Sequence, residues 1–215
     1  MAEFKLHGYW RSTAAYRVRI AMNLKDISYE HVTVDLVKEG GQQHGDEYVA
    51  KNPSHLVPTL ELGDGTTLGQ SMAIIDYIDA LIPSMPLVPS HPLVKAKVLE
   101  FAHTIAMDIH PVNNLRVVQH LGAEFGANAD AKAEWMRHWM AKGFTALEAL
   151  CDPETDFAIT NRVSVADICL VAQMYNARRW GLDLAPYPRL VEIEEKCLMM
   201  EAFDKARPEN QPDAT

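Results

Sequence analysis

Pro83, Pro86, Pro89 and Pro92 fall within one ten-residue stretch, a spacing that no regular helix or central strand survives. Each proline lacks the backbone N–H that a helix or a sheet ladder needs, so residues 83–92 read as a linker. The chain differs in kind on its two sides. Upstream, Phe4-Leu6-Gly8, Tyr29-His31-Thr33 and Thr59-Leu60-Glu61-Leu62 carry short strand patterns, and the apolar spacing predicts helices over 13–24 and 71–82. Residues 1–82 are therefore expected to form a small α/β domain, with GDGTTLG as a turn before its last helix. Downstream there is no convincing strand pattern. Val94, Val98, Phe101, Ile105, Ile109 and Val112 recur at steps of three and four, which predicts an amphipathic helix kinked at Pro111. Trp135, Trp139, Leu147 and Leu150 mark a second long helix and residues 164–179 a third, so 93–215 is expected to be all-α. The polar ending RPENQPDAT reads as a loose tail.

Charge and cysteine usage narrow the function. Twenty basic against 29 acidic residues give a net charge of -9, which argues against a nucleic-acid backbone as partner but leaves room for a local anion pocket. Cys151, Cys169 and Cys197 are odd in number, widely spaced and never in a C-x-x-C pair, so neither a disulfide framework nor a zinc site follows. His103 and His110 lack a nearby third ligand, and no metal is expected. With no 18-residue apolar run and no basic leader before an apolar stretch, the expectation is a cytoplasmic protein without membrane contact.

Five stretches could carry chemistry, and each also has a purely structural explanation. Ser12 in WRSTAAYRVRIAMNL suits an N-cap, placing free N–H groups and the positive end of a helix dipole beside any anion or thiolate; equally, it simply caps a helix whose Arg17 and Arg19 are solvated. Pro58 precedes a strand, where a cis Val57–Pro58 bond would turn the backbone of Val57 toward a peptide-like ligand and a trans bond would merely mark an edge. Gln70 and Ser71 open the next helix, with Ser71 as its N-cap, and offer an amide, a hydroxyl and free N–H groups to a carboxylate. His110, Asn113 and Asn114 share a helix face near the kink, as a polar patch or as a cleft lining. Arg178 and Arg179 end a helix, where they neutralise its dipole or fork a carboxylate. Ser164 and Asp167 form a capping-box pattern and are taken as structural.

Taken in order, WRSTAAYRVRIAMNL, VKEGGQQ, NPSHLVPTLEL, GQSMAIIDYI, DIHPVNNLR, SVADICLVAQ and ARRWGLDLAPYP resemble the glutathione transferase superfamily over nearly the whole chain. Within it they resemble the zeta class, which contains maleylacetoacetate and maleylpyruvate isomerases. The resemblance implies a thioredoxin-like N-terminal domain, an all-α C-terminal domain, a cis bond before Pro58, glutathione as cofactor and a homodimer. It implies that Ser12 activates the thiol, that Thr13 supplies a supporting hydroxyl, and that Ala14 stands where the class often has cysteine. Gln43, Val57, Gln70 and Ser71 match positions that hold glutathione, and His110, Asn114 and Arg116 match positions that close over it. For a diacid substrate, the residues expected to bind the carboxylates are Arg11, one of Arg178 and Arg179, and less directly Arg116. The implied activity is cis-trans isomerisation of a maleyl diacid, maleylacetoacetate first. The alternatives are a conjugating or dehalogenating transferase that consumes glutathione, or a non-catalytic binding module.

Overall fold

The computed structural model describes residues 4–215. By their contacts these form two compact units, one running to Leu87 and joined by Met199–Thr215, the other Val88–Leu198. The helical part expected over 93–215 thus loses its last residues to the first unit.

The first unit is built on four strands, β1 (Phe4–Gly8), β2 (Glu30–Thr33), β3 (Thr59–Leu62) and β4 (Thr67–Gly69), in the order β2-β1-β3-β4. β1 pairs parallel with β2, and β3 runs antiparallel to both β1 and β4. Residues 67–69, expected within a turn, instead make the edge strand β4: Asp64 and Gly65 supply the turn, and Thr67 pairs with Glu61. The helices are α1 (Thr13–Leu24), the one-turn α2 (Asp46–Val49) and α3 (Ser71–Leu81). α1 lies close to β1, since a Cβ on Gly8 would stand 3.3 Å from that of Ala15. Glycine is what admits this approach. α1 also packs on α3 and on a C-terminal helix, α10 (Glu201–Ala206), and everything from Ala15 to Met22 is buried. That enclosure overturns the reading of Arg17 and Arg19 as solvated, for they are 2% and 0% exposed.

The ending is not a loose tail. The amide of Gln211 donates to the carbonyls of Lys205 (3.0 Å) and Arg207 (2.8 Å), and Asp213 accepts from the backbone N–H of Trp10 at 3.0 Å. Polar composition marks it as exposed, but Asn210, Gln211 and Asp213 each commit a polar group to an internal hydrogen bond.

The second unit contains α4 (Pro92–His103), α5 (His110–Val112), α6 (Leu115–Phe125), α7 (Ala129–Leu150), α8 (Val165–Arg179) and α9 (Pro188–Leu198). Pro92, expected in the linker, is the first residue of α4, where its missing N–H costs nothing. The expected kink at Pro111 is preceded by a π-helical stretch, Thr104–Ile109, closed by the His110 N–H on the Ile105 carbonyl. α7 buries Met136, Met140, Phe144 and Leu147. Trp135 and Trp139, expected to lead that face, are only half-buried, stacked edge to face at 5.7 Å, with the indole N–H of Trp135 on the Val112 carbonyl.

α8 is buried along nearly its whole length, and its start is held by the expected capping box. The carboxylate of Asp167, 0% exposed, accepts from the N–H groups of Ala158 and Ser164 and from the Ser164 hydroxyl. Asp167→Ala strands these donors, so it should cost about 3 kcal/mol and lower Tm by several degrees. A Tm within 1 °C of wild type, roughly the shift from a few tenths of a kcal/mol, would contradict this account of the box.

Candidate functional site

The sheet register decides which loops meet. Gly8 pairs with Thr33, His7 with Thr59, and Thr59 with Gly69, so the segments after β1, after β2, before β3 and after β4 all leave the same end of the sheet. Those segments carry Ser12, Gln43, Val57 and Gln70–Ser71 respectively. The first-unit residues singled out in the sequence are therefore gathered at one edge, as loops on a rigid scaffold.

Ser12 closes a turn by donating its N–H to the Tyr9 carbonyl at 2.9 Å, and its Oγ caps α1 by accepting from the Ala15 N–H at 3.2 Å. An accepted bond leaves the hydroxyl proton of Ser12 for another partner. Thr13, the first residue of α1, is buried, which sets its hydroxyl back from solvent. Arg11 is half-buried; its guanidinium donates to the Tyr9 hydroxyl at 3.0 Å and lies 4.7 Å above the Trp10 ring.

The Val57–Pro58 bond is cis. The backbone leading to it is held by Tyr48, whose hydroxyl donates to the Leu56 carbonyl at 2.6 Å, and by the Asn52 amide, which reaches that carbonyl at 2.8 Å and Thr59 Oγ1 at 2.9 Å. Gln70 has a left-handed backbone, φ 65°, which a residue other than glycine adopts at a cost and which sites often retain. It is Gln70, not Ser71, that occupies the N-cap of α3. Ser71 is the first helical residue, and its Oγ accepts from Arg17 Nη1 at 3.2 Å. Buried Arg17, missed from sequence because α1 looked like a surface helix, places positive charge behind Ser71. Gln43 is buried, with its amide 3.0 Å from His44 Nε2. A cavity of about 640 Å³ opens nearby beside β2, lined by His7, Val34, Lys38, His44 and Lys51, but Ser12, Val57, Gln70 and Ser71 do not line it.

In the second unit, His110 begins α5 and is half-buried. Asn114 caps α6, accepting from the Arg116 N–H at 3.2 Å, and Arg116 is exposed. Arg178 is engaged by Glu194, with Nε 3.2 and 3.1 Å from its two oxygens and Nη2 also bonded to the carboxylate. That carboxylate raises the Arg178 pKa further. Arg179 stacks its guanidinium 5.2 Å from the Trp180 ring centre.

Cysteine chemistry finds no support. Burial, reinforced by Glu148, pushes the Cys151 thiol up to about 12, and burial pushes Cys197 up as well. Among the described residues there is no group of three or more metal-ligating side chains, and no helix is long and apolar enough to cross a membrane.

Comparison with known proteins follows the same lines. Residues 11–81 match the family model for the glutathione S-transferase N-terminal domain. A probable maleylacetoacetate isomerase of Vibrio cholerae is 46% identical over 215 residues, covering 100% of both chains. The chain belongs to the glutathione S-transferase family. Within the family, a bacterial zeta-class maleyl pyruvate isomerase in its holo form superposes with a TM-score of 0.95 at 37% identity, covering 98% of this chain and 100% of that one. A maleylacetoacetate isomerase of Methylobacterium extorquens AM1, solved with bound malonate and glutathione, gives a TM-score of 0.93 at 38% identity, covering 98% and 99%. The thioredoxin-like first domain and the helical domain after it are thus those of the family.

The raised thiol pKa values carry a consequence for reactivity, because only the thiolate attacks an alkylating agent. Native protein at mildly alkaline pH should leave Cys151 and Cys197 unmodified by iodoacetamide, whereas urea-unfolded protein is alkylated at both, as read by mass spectrometry. Rapid native alkylation at either would contradict the burial argument.

Proposed function

We propose that this protein is a glutathione-dependent cis-trans isomerase of maleyl diacids, with maleylacetoacetate as its first substrate and fumarylacetoacetate as product. The observation that carries the reading is Ser12. It accepts from the Ala15 N–H and keeps a hydroxyl proton to donate, at the start of a helix whose dipole favours negative charge. A glutathione sulfur placed there is held as thiolate. Solved relatives support the ligand set, since the Methylobacterium isomerase binds glutathione together with malonate, itself a diacid.

The chemistry follows from bond order. A cis double bond conjugated to carbonyls cannot rotate; when the thiolate adds to one of its carbons, the bond becomes single and rotates, and expulsion of the thiolate restores the alkene as trans. Glutathione emerges unchanged. In this proposal Val57 presents its backbone to the tripeptide, while Gln43, Gln70 and Ser71 hold its polar ends. Ser71 suits a carboxylate because its oxygen is occupied by Arg17 while its proton is left to donate. Thr13 supports the Ser12 turn, and His110, Asn114 and Arg116 are assigned to glutathione by the family resemblance. Arg11 takes one substrate carboxylate. One of Arg178 and Arg179 takes the other, and Arg178 would do so while already bonded to Glu194. The proposal includes a cytoplasmic homodimer; exposed Leu81 and Met85, at 47% and 62%, are apolar surface of the kind a second copy covers.

Conversion of maleylacetoacetate should require glutathione, and its absence in the presence of the thiol would refute the reading. Ser12→Ala should lower kcat about a hundredfold, in line with loss of one donor to a developing anion, while the KM for glutathione moves little. A KM effect alone would make Ser12 a binding residue only. Replacing Arg178 and Arg179 singly with Met should lower kcat/KM about ten- to a hundredfold at one of the two, the loss of one charged hydrogen bond of about 1.5 to 3 kcal/mol. Both variants staying within about twofold would remove the pair from the site.

A further inference from the structure

The turn that carries Arg11 and Ser12 is held from the far end of the chain. Asp213 Oδ2 accepts the Trp10 N–H at 3.0 Å across 203 residues of sequence, the largest separation of any hydrogen bond described here. The Trp10 carbonyl accepts from Arg19 Nη2 at 3.0 Å, and Arg19 Nε donates to the Ala206 carbonyl at 3.0 Å. Both backbone polar groups of Trp10 are therefore fixed by the C-terminal segment or by an arginine bonded to it. Trp10 and Arg11 are the two central residues of the turn closed by Ser12 N–H on the Tyr9 carbonyl. A shift of the Trp10 backbone would move Ser12 on one side of Arg11, and a shift of its indole would move the guanidinium stacked on it.

Asp213 is itself well anchored. Its side chain is 7% exposed, and Oδ1 lies 3.0 Å from His31 Nε2, without the alignment of a hydrogen bond. Burial lowers the His31 pKa, with Arg19 opposing protonation and Asp213 favouring it. The Gln211 amide bonds described above, the Ala214 N–H on the Gln211 carbonyl (3.1 Å) and the Asn23 amide on the Ala202 carbonyl (2.9 Å) fasten the segment on either side. A carboxylate bonded to a backbone N–H gives a stronger, shorter-range constraint than a neutral acceptor does. A site must be held to within about 0.5 Å to work, and a turn between a strand and a helix does not hold itself that well.

We infer that Asp213 is a positioning residue for the reaction, its carboxylate fixing the Trp10 peptide and through it the placement of Ser12 against the glutathione sulfur and of Arg11 against the substrate. The inference rests on the proposed function for the identity of the thiol, and nothing in the sequence around RPENQPDAT signals it. Asp213 touches neither sulfur nor substrate. Its effect passes through one backbone N–H.

A merely structural role would lower stability and stop there, so the test reads the thiol. With glutathione bound, well below the Tm of each variant, the ultraviolet absorbance of the thiolate is followed against pH in wild type, Asp213→Ala and Asp213→Asn. Asp213→Ala should raise the pKa of the bound thiol by about one unit and lower kcat/KM about tenfold, with glutathione affinity within about twofold. Asp213→Asn keeps an oxygen for the Trp10 N–H and should restore most of both. Should the alanine variant not fold, Asp213→Glu, which retains the charge but displaces the oxygens by one methylene, should shift the thiol pKa upward in the same sense. The inference is overturned if the folded variants lose Tm while the thiol pKa and kcat/KM stay within error of wild type, or if Asp213→Asn is no better than Asp213→Ala. A wild-type protein that binds glutathione but converts no maleyl diacid would refute the proposed function and leave the thiolate comparison readable.

Discussion

The pairing of His7 with Thr59 and of Thr59 with Gly69 brings the connection before β3 and the connection after β4 to the end of the sheet where β1 and β2 finish. A slip of one residue would turn every side chain of β3 to the opposite face and carry Val57 away from the Ser12 turn. The register is secured by burial on both of its central strands, with Leu6 and Leu60 directly opposed and at most 1% exposed. The placements of Ser12, Val57 and the Gln70–Ser71 pair are therefore consequences of one set of strand pairings and not three independent adaptations.

Electrostatically, a chain of net charge -9 still places buried positive charge at particular points. Arg17 sits behind Ser71 and Arg19 behind Trp10, both buried and both aimed at groups of the site's backing and not at solvent. Buried guanidinium groups need several partners, and the C-terminal segment supplies some of them through Ala206. In the proposed function the helix start, the arginines and the serines act on neighbouring parts of one ligand, so the overall negative field does not decide what binds.

Local chemistry was the legible part of the sequence. Helices α1 and α3 were placed almost to the residue because Ser12 and the Gln70–Ser71 pair punctuate them, and the α8 capping box was readable from Ser164 and Asp167 alone. What depends on distant parts of the chain was not. Arg17 and Arg19 looked solvated because nothing near them in sequence shows that α10 closes over α1, and Asp213 looked like part of a tail for the same reason. α6 was passed over although Leu115, Val118, Leu121 and Phe125 recur at helical steps, because only Val118 is buried and Pro111 drew the reading to the preceding kink, whereas the short β4 left too little periodic signal to find. In α7 the tryptophans dominated the pattern by size, yet the methionines one position on face the core. Glu194, which engages Arg178, comes from α9, sixteen residues later, and no local spacing announces it.

The central claim is that glutathione is used and returned, and a count of turnovers tests it most directly. Maleylacetoacetate in large excess over glutathione is followed by proton NMR, which resolves cis from trans alkene protons and free glutathione from its thioether. The account predicts complete conversion of cis to trans with the glutathione signals unchanged at the end. Conversion that stops once the glutathione has been consumed as a thioether would contradict it, and would make the protein a conjugating transferase built on the same site.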